Sequence, residues 1–190
     1  MITKLVSLIS ICIFFQICVS KDELQMVSWK LVILSFMALF GLFVFSKNSY
    51  LVFLCMLFGA YTDSISESVY SLVSYIVGGY EVVIYCLHFR ETRVFLVPLL
   101  ITILAIVIYS YVFRLLGQGD ADILIVCAIM YANIGVSPID FVLFMSILAS
   151  AVFLVIQSIR SIRMHKFLRQ GAFIPSLLIA FCVIFVISHF

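Results

Sequence analysis

Long apolar runs alternate with short polar punctuation along this chain, and the runs fall at 3–20, 27–46, 49–66, 69–88, 94–113, 120–136, 139–159 and 172–190. A helix rises about 1.5 Å per residue, so about 20 apolar residues cross the hydrocarbon of a bilayer. Backbone N–H and C=O groups find no water to pair with in lipid, which makes the helix the expected form of every run. The pattern predicts an all-α fold: a polytopic membrane bundle of about eight transmembrane helices, the shorter of them crossing by tilt or local thinning.

Two places break the pattern. Asp63, Ser64, Ser66, Glu67, Ser68 and Ser71 interrupt the third and fourth runs, which predicts a bend or a water-filled break there. Gly78 and Gly79, followed by Glu81, predict a second irregularity. Pro98, Pro138 and Pro175 lie near the starts of runs, where a missing N–H costs least. With no internal repeat, low-complexity tract or linker, the chain reads as one membrane domain.

Composition agrees with this reading. The chain is 66% hydrophobic and 11% charged, against about 45–50% apolar and about 25% charged in a soluble domain. A net charge of +2, scattered along the sequence, gives no footprint for a nucleic-acid partner. Six cysteines, Cys12, Cys18, Cys55, Cys86, Cys127 and Cys182, all fall in apolar runs without a Cys-x-x-Cys pair. They are expected to be buried, inert thiols rather than metal ligands, and no metal or organic cofactor is implied.

Lysines and arginines in short loops set orientation. The loop "QSIRSIRMHKFLRQG", with Arg160, Arg163, Lys166 and Arg169 around His165, is expected on the cytoplasmic side. Alternating crossings then put Arg114 and both acid clusters, Asp63–Glu67 and Asp120–Asp122, on that same side. The loop "HFRETR", in which Glu91 offsets Arg90 and Arg93, faces the other way. The N-terminal "MITKLVSLISICIFFQICVS" looks like a secretory signal peptide, but a cleaved signal would reverse the side of the acids relative to the basic loop. A retained first helix is the favoured expectation, and the "KDEL" at 21–24 is internal, so it is no retention signal.

An ionisable side chain in a membrane helix costs roughly 2.5–3.5 kcal/mol on insertion scales and is a functional candidate by default. Asp22, Glu23, Glu91 and Asp140 have simple explanations in loops or at a helix start, while Glu81 remains open. Asp63 and Glu67 are spaced to share one helix face. Asp120 follows "GQG", whose glycines Gly117 and Gly119 allow a sharp turn and close approach, and a helix starting there puts its carboxylate at the positive end of the dipole. Asp122 points about 200° around that helix, so the two aspartates face different sites. A plain N-cap at the membrane surface accounts for Asp120 equally well on spacing alone.

The segment "LLGQGDADILIVCAIMYANIG" resembles the Gly-x-Gly-Asp segment of type IV prepilin peptidases, which are integral-membrane aspartic proteases. The stretch "FLCMLFGAYTD" looks like the earlier family helix that ends in the other catalytic aspartate, here Asp63. "YSLVSYIVGG" is similar to the helix that follows, two helices separate Asp63 from Asp120 as in the family, and "GAFIPSLLIAF" resembles the last family helix, with Pro175 at its proline. The resemblance implies a six-helix catalytic core over 49–190 behind two N-terminal helices in 1–48. Intramembrane proteases of the presenilin type share Gly-x-Gly-Asp but pair it with Tyr-Asp, whereas Thr62 separates Tyr61 from Asp63 here. Departures are also plain: basic residues and Ile-Pro-Asn usually follow the first aspartate, where this chain reads "DSISESVYS", and Asp122 replaces the lysine usual after the second. The loop "KDELQMVSWK" replaces a large Cys-x-x-Cys-bearing loop of bacterial members, so methyltransferase activity is not expected.

What the resemblance implies is an aspartic-type endopeptidase of the cell membrane that removes the leader of a prepilin or pilin-like protein at the cytoplasmic face. Asp63 and Asp120 would be the catalytic pair, with one carboxylate activating water and the other, protonated, donating to the carbonyl oxygen. Glu67, Asp122 and Glu81 are candidates to meet a basic leader, and the basic segment 160–169 reads as a topology anchor near anionic lipid. The partners expected are the pilin-like substrate and the bilayer. Two other readings stay open: a non-peptidase relative that assists assembly of a pilus or secretion system, and a small proton-coupled transporter using the acids as a relay.

Overall fold

The structure, a computed structural model, describes residues 4–6, 8–9, 12–13, 28–66, 71–114, 116–164 and 173–189, and the described residues are helical apart from short connections. The elements are α1 (Ser28–Val44), α2 (Lys47–Ser66), α3 (Ser71–Leu87), a short α4 (Phe89–Thr92) with a 3₁₀ turn (Arg93–Phe95), α5 (Leu96–Val107) with a π-helical turn (Ile108–Val112), α6 (Gln118–Asn133), α7 (Pro138–Met164) and α8 (Ile174–His189). The apolar runs from the second onward each become a helix within a few residues of their expected ends. The first run lies largely outside the described residues.

Two helical stretches, Phe89–Val112 with 24 residues and Pro138–Met164 with 27, are long and apolar enough to cross a membrane. Val32–Val44, Ser71–Leu87 and Ile174–Ile187 are shorter and equally greasy. The exterior is apolar as well: Phe36, Phe40 and Phe43 on α1, Val97, Leu100 and Leu104 on α5, and Ile147, Leu154 and Ile162 on α7 all point outward. An exterior this rich in large apolar side chains is compatible with a membrane location.

The centre belongs to α2, in which every residue from Val52 to Asp63 is buried. It packs on α1, α3, α6 and α8, and an aromatic cluster closes its first turns. Phe45 stacks on Phe53 with ring centroids 4.4 Å apart and meets Phe185 at 4.5 Å. Phe45 precedes α2 and Phe185 lies in the second half of α8, so these two helices run antiparallel. Tyr50 is fully buried and its hydroxyl donates to Ala38 O at 3.1 Å, tying α2 to α1. Tyr50→Phe removes that bond without changing shape; a loss of about 0.5–1.5 kcal/mol is expected in a chemical or thermal unfolding titration. Lys4 lies at this same end, where its Nζ donates to Leu42 O and Phe45 O at 2.9 and 2.6 Å. It satisfies carbonyls that the end of α1 leaves unpaired.

Two sequence expectations are corrected. Gly78, Gly79 and Glu81 cause no irregularity, because α3 runs unbroken from Ser71 to Leu87. Gly78 instead lets α6 come close, since a Cβ there would meet Val126 Cγ2 at 3.3 Å. α2 runs helically through Asp63 to Ser66, with the Thr62 and Ser64 hydroxyls bonded back to Gly59 O and Tyr61 O, and the remainder of the stretch expected to bend or break is 67–70. Residues 67–70, and with them Glu67, lie outside the described residues. Of the cysteines, Cys55 and Cys127 are buried, but Cys12 and Cys86 are exposed, because they sit on outward helix faces.

The far end of α6 is closed by a complete glycine cap. Gly135 has φ 78°, and Val136 N and Gly135 N donate to Tyr131 O and Ala132 O at 3.0 and 3.2 Å, the Schellman arrangement. Pro138 and Pro175 occupy the first and second positions of α7 and α8, and Pro98 the third of α5.

A candidate aspartate pair at one end of the bundle

One end of the bundle gathers the last turn of α2, the starts of α3, α6 and α8, and the end of α7. The first aspartate, Asp63, is 7% exposed, and its Oδ2 accepts the backbone N–H of Ile174 at 3.0 Å. That N–H belongs to the first residue of α8, one of the donors that a helix start leaves without an intrahelical partner. A carboxylate from another helix fills this need and also faces the positive end of the α8 dipole. Pro175, next in sequence, has no N–H to satisfy, so Ile174 carries the contact.

The second aspartate is set by a backward turn. The π-helical turn Ile108–Val112 ends α5, Arg114 takes a left-handed φ of 52°, and the Ser110 hydroxyl donates to Leu116 O at 3.3 Å. The chain then enters α6 with Gly117 as N-cap, φ −62° and ψ 148°, a conformation open to any residue. The sharp turn expected at the glycines therefore sits at Arg114. What Gly117 provides is room: a Cβ there would stand 2.8 Å from Asp120 Oδ2. The Asp120 side chain folds back to accept the Gly117 backbone N–H, as the third residue of a capping box does. Asp120 is thus the third residue of α6, since the helix begins at Gln118, and Gly119 is the second.

These two carboxyls are brought together. Asp63 lies within electrostatic reach of the Asp120 carboxyl, although 57 residues separate them in sequence. The contact beneath them explains why. Gly59 lies one turn before Asp63, and a Cβ at Gly59 would meet Ile123 Cδ1 at 2.8 Å and Ile174 at 3.6 Å. Ile123 lies three residues after Asp120, so the bare side of Gly59 lets α2 settle against α6 and α8 directly below the acids. Deeper still, Met56 and Cys127 meet through their sulfurs at 3.8 Å.

Asp122 does not join the pair. It is half-buried on another side of α6, within electrostatic reach of Cys55. Arg160 and Arg163 lie on the last turns of α7, at the same end as the aspartates, while His165, Lys166 and Arg169 fall outside the described residues. Among the described residues no group of three or more His, Cys, Asp or Glu could hold a metal ion. A groove of about 520 Å³ opens between α5, α6 and α7, lined among others by Thr102, Leu116, Leu124, Ser146 and Ser150 but by neither aspartate. Leu124 follows Asp120 by four residues, so the floor of the groove continues the face that bears the carboxyl.

Asp63 has a structural duty apart from any chemistry, and two substitutions separate the roles. Asparagine keeps an oxygen for the Ile174 N–H, whereas alanine leaves that buried donor unpaired. Asp63→Ala is expected to lower stability by about 1 kcal/mol, the usual cost of losing a helix N-terminal acceptor, and Asp63→Asn by much less, in paired melting curves.

Sequence reasoning missed two participants: Gly59, legible as a glycine one helical turn from an acid, and Ile174, which acts through its backbone and left no side-chain signal. No family model, curated protein or solved structure matches the chain.

Proposed function

We propose that the chain is a multi-pass membrane aspartic endopeptidase, with Asp63 and Asp120 as its catalytic pair, that removes the leader of a prepilin or pilin-like substrate. The observation that carries this reading is the convergence of two acids, remote in sequence, at one end of an apolar-surfaced helical bundle. Two neighbouring carboxyls cannot both ionise cheaply, so they share a proton and titrate as a unit. The ionised member draws a proton from water, which attacks the scissile carbonyl, and the protonated member donates to the carbonyl oxygen. Protons then pass to the leaving amine. The polarised groups are the two carboxyls alone, and the chemistry calls for no cofactor.

The bilayer covers the outward Phe, Leu, Ile and Val side chains of α1, α5 and α7, and the remaining helices complete about eight crossings. Arg160 and Arg163 share the end of the bundle with the aspartates, which supports a cytoplasmic side for that end. A pilin-like substrate has a basic leader inside the cell and an apolar helix in the membrane. The groove floored by Leu124 receives that helix and leaves the peptide bond at its head beside Asp120.

A second reading has one specific observation in its favour. Asp63 holds the start of α8, and no basic residue accompanies the pair in "DSISES" or at Asp122, so an assembly factor without peptidase activity would keep Asp63 for its shape. Co-expression with a prepilin-like substrate decides between them. Leader removal by the parent chain, detected as a mobility shift and a new N-terminus, supports the peptidase; a correctly inserted chain that leaves a panel of such substrates uncut supports the assembly factor. Proton-linked flux through reconstituted protein would favour a carrier instead.

A further inference from the structure

Far from the aspartate pair, near the opposite end of α6, lies a second buried acid that the proposed chemistry does not use. Glu81 on α3 has no exposed surface. Asn133, the last residue of α6, donates through Nδ2 to Glu81 Oε2 at 2.7 Å and to Glu81 O at 3.0 Å. Both hydrogens of that amide are then used. Glu81 Oε1 and Asn133 Oδ1 are buried as well, and neither has a hydrogen-bond partner. An amide carbonyl and an ionised carboxylate can only accept, so these two oxygens face a missing donor. Reversing the amide does not supply it, because the carbonyl would then press against Glu81 Oε2 and Glu81 O.

We infer that Glu81 and Asn133 form a proton-binding site, in which Glu81 is held as the neutral carboxylic acid and its Oε1–H supplies the donor that Asn133 Oδ1 lacks. An acid and an amide pair naturally in this way, each offering one donor and one acceptor side by side. Desolvation supports the same state, because a buried carboxylate with a single hydrogen-bonded neighbour costs several kcal/mol, whereas a neutral and fully bonded acid costs little. Of the titratable side chains, Cys127 on α6 lies within electrostatic reach of Glu81, and a buried thiol brings no compensating cation. Tyr85, one turn along α3, gives its hydroxyl hydrogen to Thr92 O at 3.1 Å and is not available as the donor. The bound proton completes a clasp between the parallel helices α3 and α6, fixing α6 at the end remote from Asp120. This inference does not depend on the peptidase reading.

The test is infrared spectroscopy of the full chain in lipid nanodiscs at neutral pH, comparing the parent with Glu81→Gln. Loss of one protonated-carboxyl C=O band in the variant, with an unchanged thermal midpoint, is the expected result, since glutamine reproduces the neutral donor and acceptor. An unchanged band overturns the inference: it is the outcome for an ionised Glu81 linked to Asn133 by a water molecule. Failure of Glu81→Gln to insert and fold overturns it too, because a neutral isostere then could not stand in for the native group. Asn133→Leu, which strands the acid without a partner, is expected to lower the midpoint while keeping the band.

Discussion

On the proposed peptidase reading, asparagine at either Asp63 or Asp120 is expected to stop leader removal while the chain still inserts and melts as a folded protein. Proton transfer by a positioned side chain contributes about 10²–10⁴-fold to a rate, so each single variant should cut at a rate lower by that factor or more. Groups that act as a unit do not add. The double variant is therefore expected to be no slower than the worse single one. Asp63→Asn is a clean probe of chemistry because its amide oxygen still receives the Ile174 N–H, so loss of cleavage cannot be charged to a loosened α8. Asp120→Asn similarly keeps an acceptor for the Gly117 N–H. Time courses of cleavage, normalised to the amount of protein in the membrane, give the measurement; full activity in either variant removes that residue from the mechanism, and additive losses rule out a shared proton.

The second large effect is expected at Gly59, which touches no substrate. A Cβ at this position already stands 2.8 Å from Ile123 Cδ1. Alanine is tolerable, since the end of the isoleucine side chain can turn away. Leucine is not: its branch must displace both Ile123 and Ile174, and overpacking of this sort costs about 1–3 kcal/mol. Because the crowded contact lies directly under the two acids, the helices that part to accept it also move Asp63 from Asp120. Gly59→Leu should therefore lose thermal stability and leader cleavage together. Adding Ile123→Ala opens space opposite the leucine and is expected to restore part of both, a coupling that a double-mutant cycle on midpoint and rate will register.

Much of the architecture is legible in the order of apolar and polar residues, because a helix that must bury its backbone polar groups leaves a run of fixed length. Proline placement adds the starts of α7 and α8. The resemblance in "FLCMLFGAYTD" and "GQGD" singles out Asp63 and Asp120, and the fold places the two within electrostatic reach of each other. Local readings of glycine fared worse. Gly78 and Gly79 suggest a weak point in a helix, yet both sit in regular α3, and Gly78 serves the approach of α6 instead. Gly117 suggests unusual backbone, but its dihedrals are ordinary and the left-handed residue is Arg114. A glycine in sequence announces a missing Cβ without saying whether a dihedral or a neighbour needs it missing. Glu81 and Asn133 lie 52 residues apart, and nothing local to either points to the other; only the parallel packing of α3 on α6 joins them.

The burial of α2 on all sides sets an order for biosynthesis. A helix that shows its flank to lipid can rest in the bilayer as soon as it leaves the insertion machinery, but the stretch from Val52 to Asp63 has no such flank. Its acid waits for the amide N–H of Ile174, which is translated long afterwards. Because 111 residues separate the two partners, the Asp63 carboxyl cannot reach the acceptor role it holds in the folded chain until the Ile174 segment has been made.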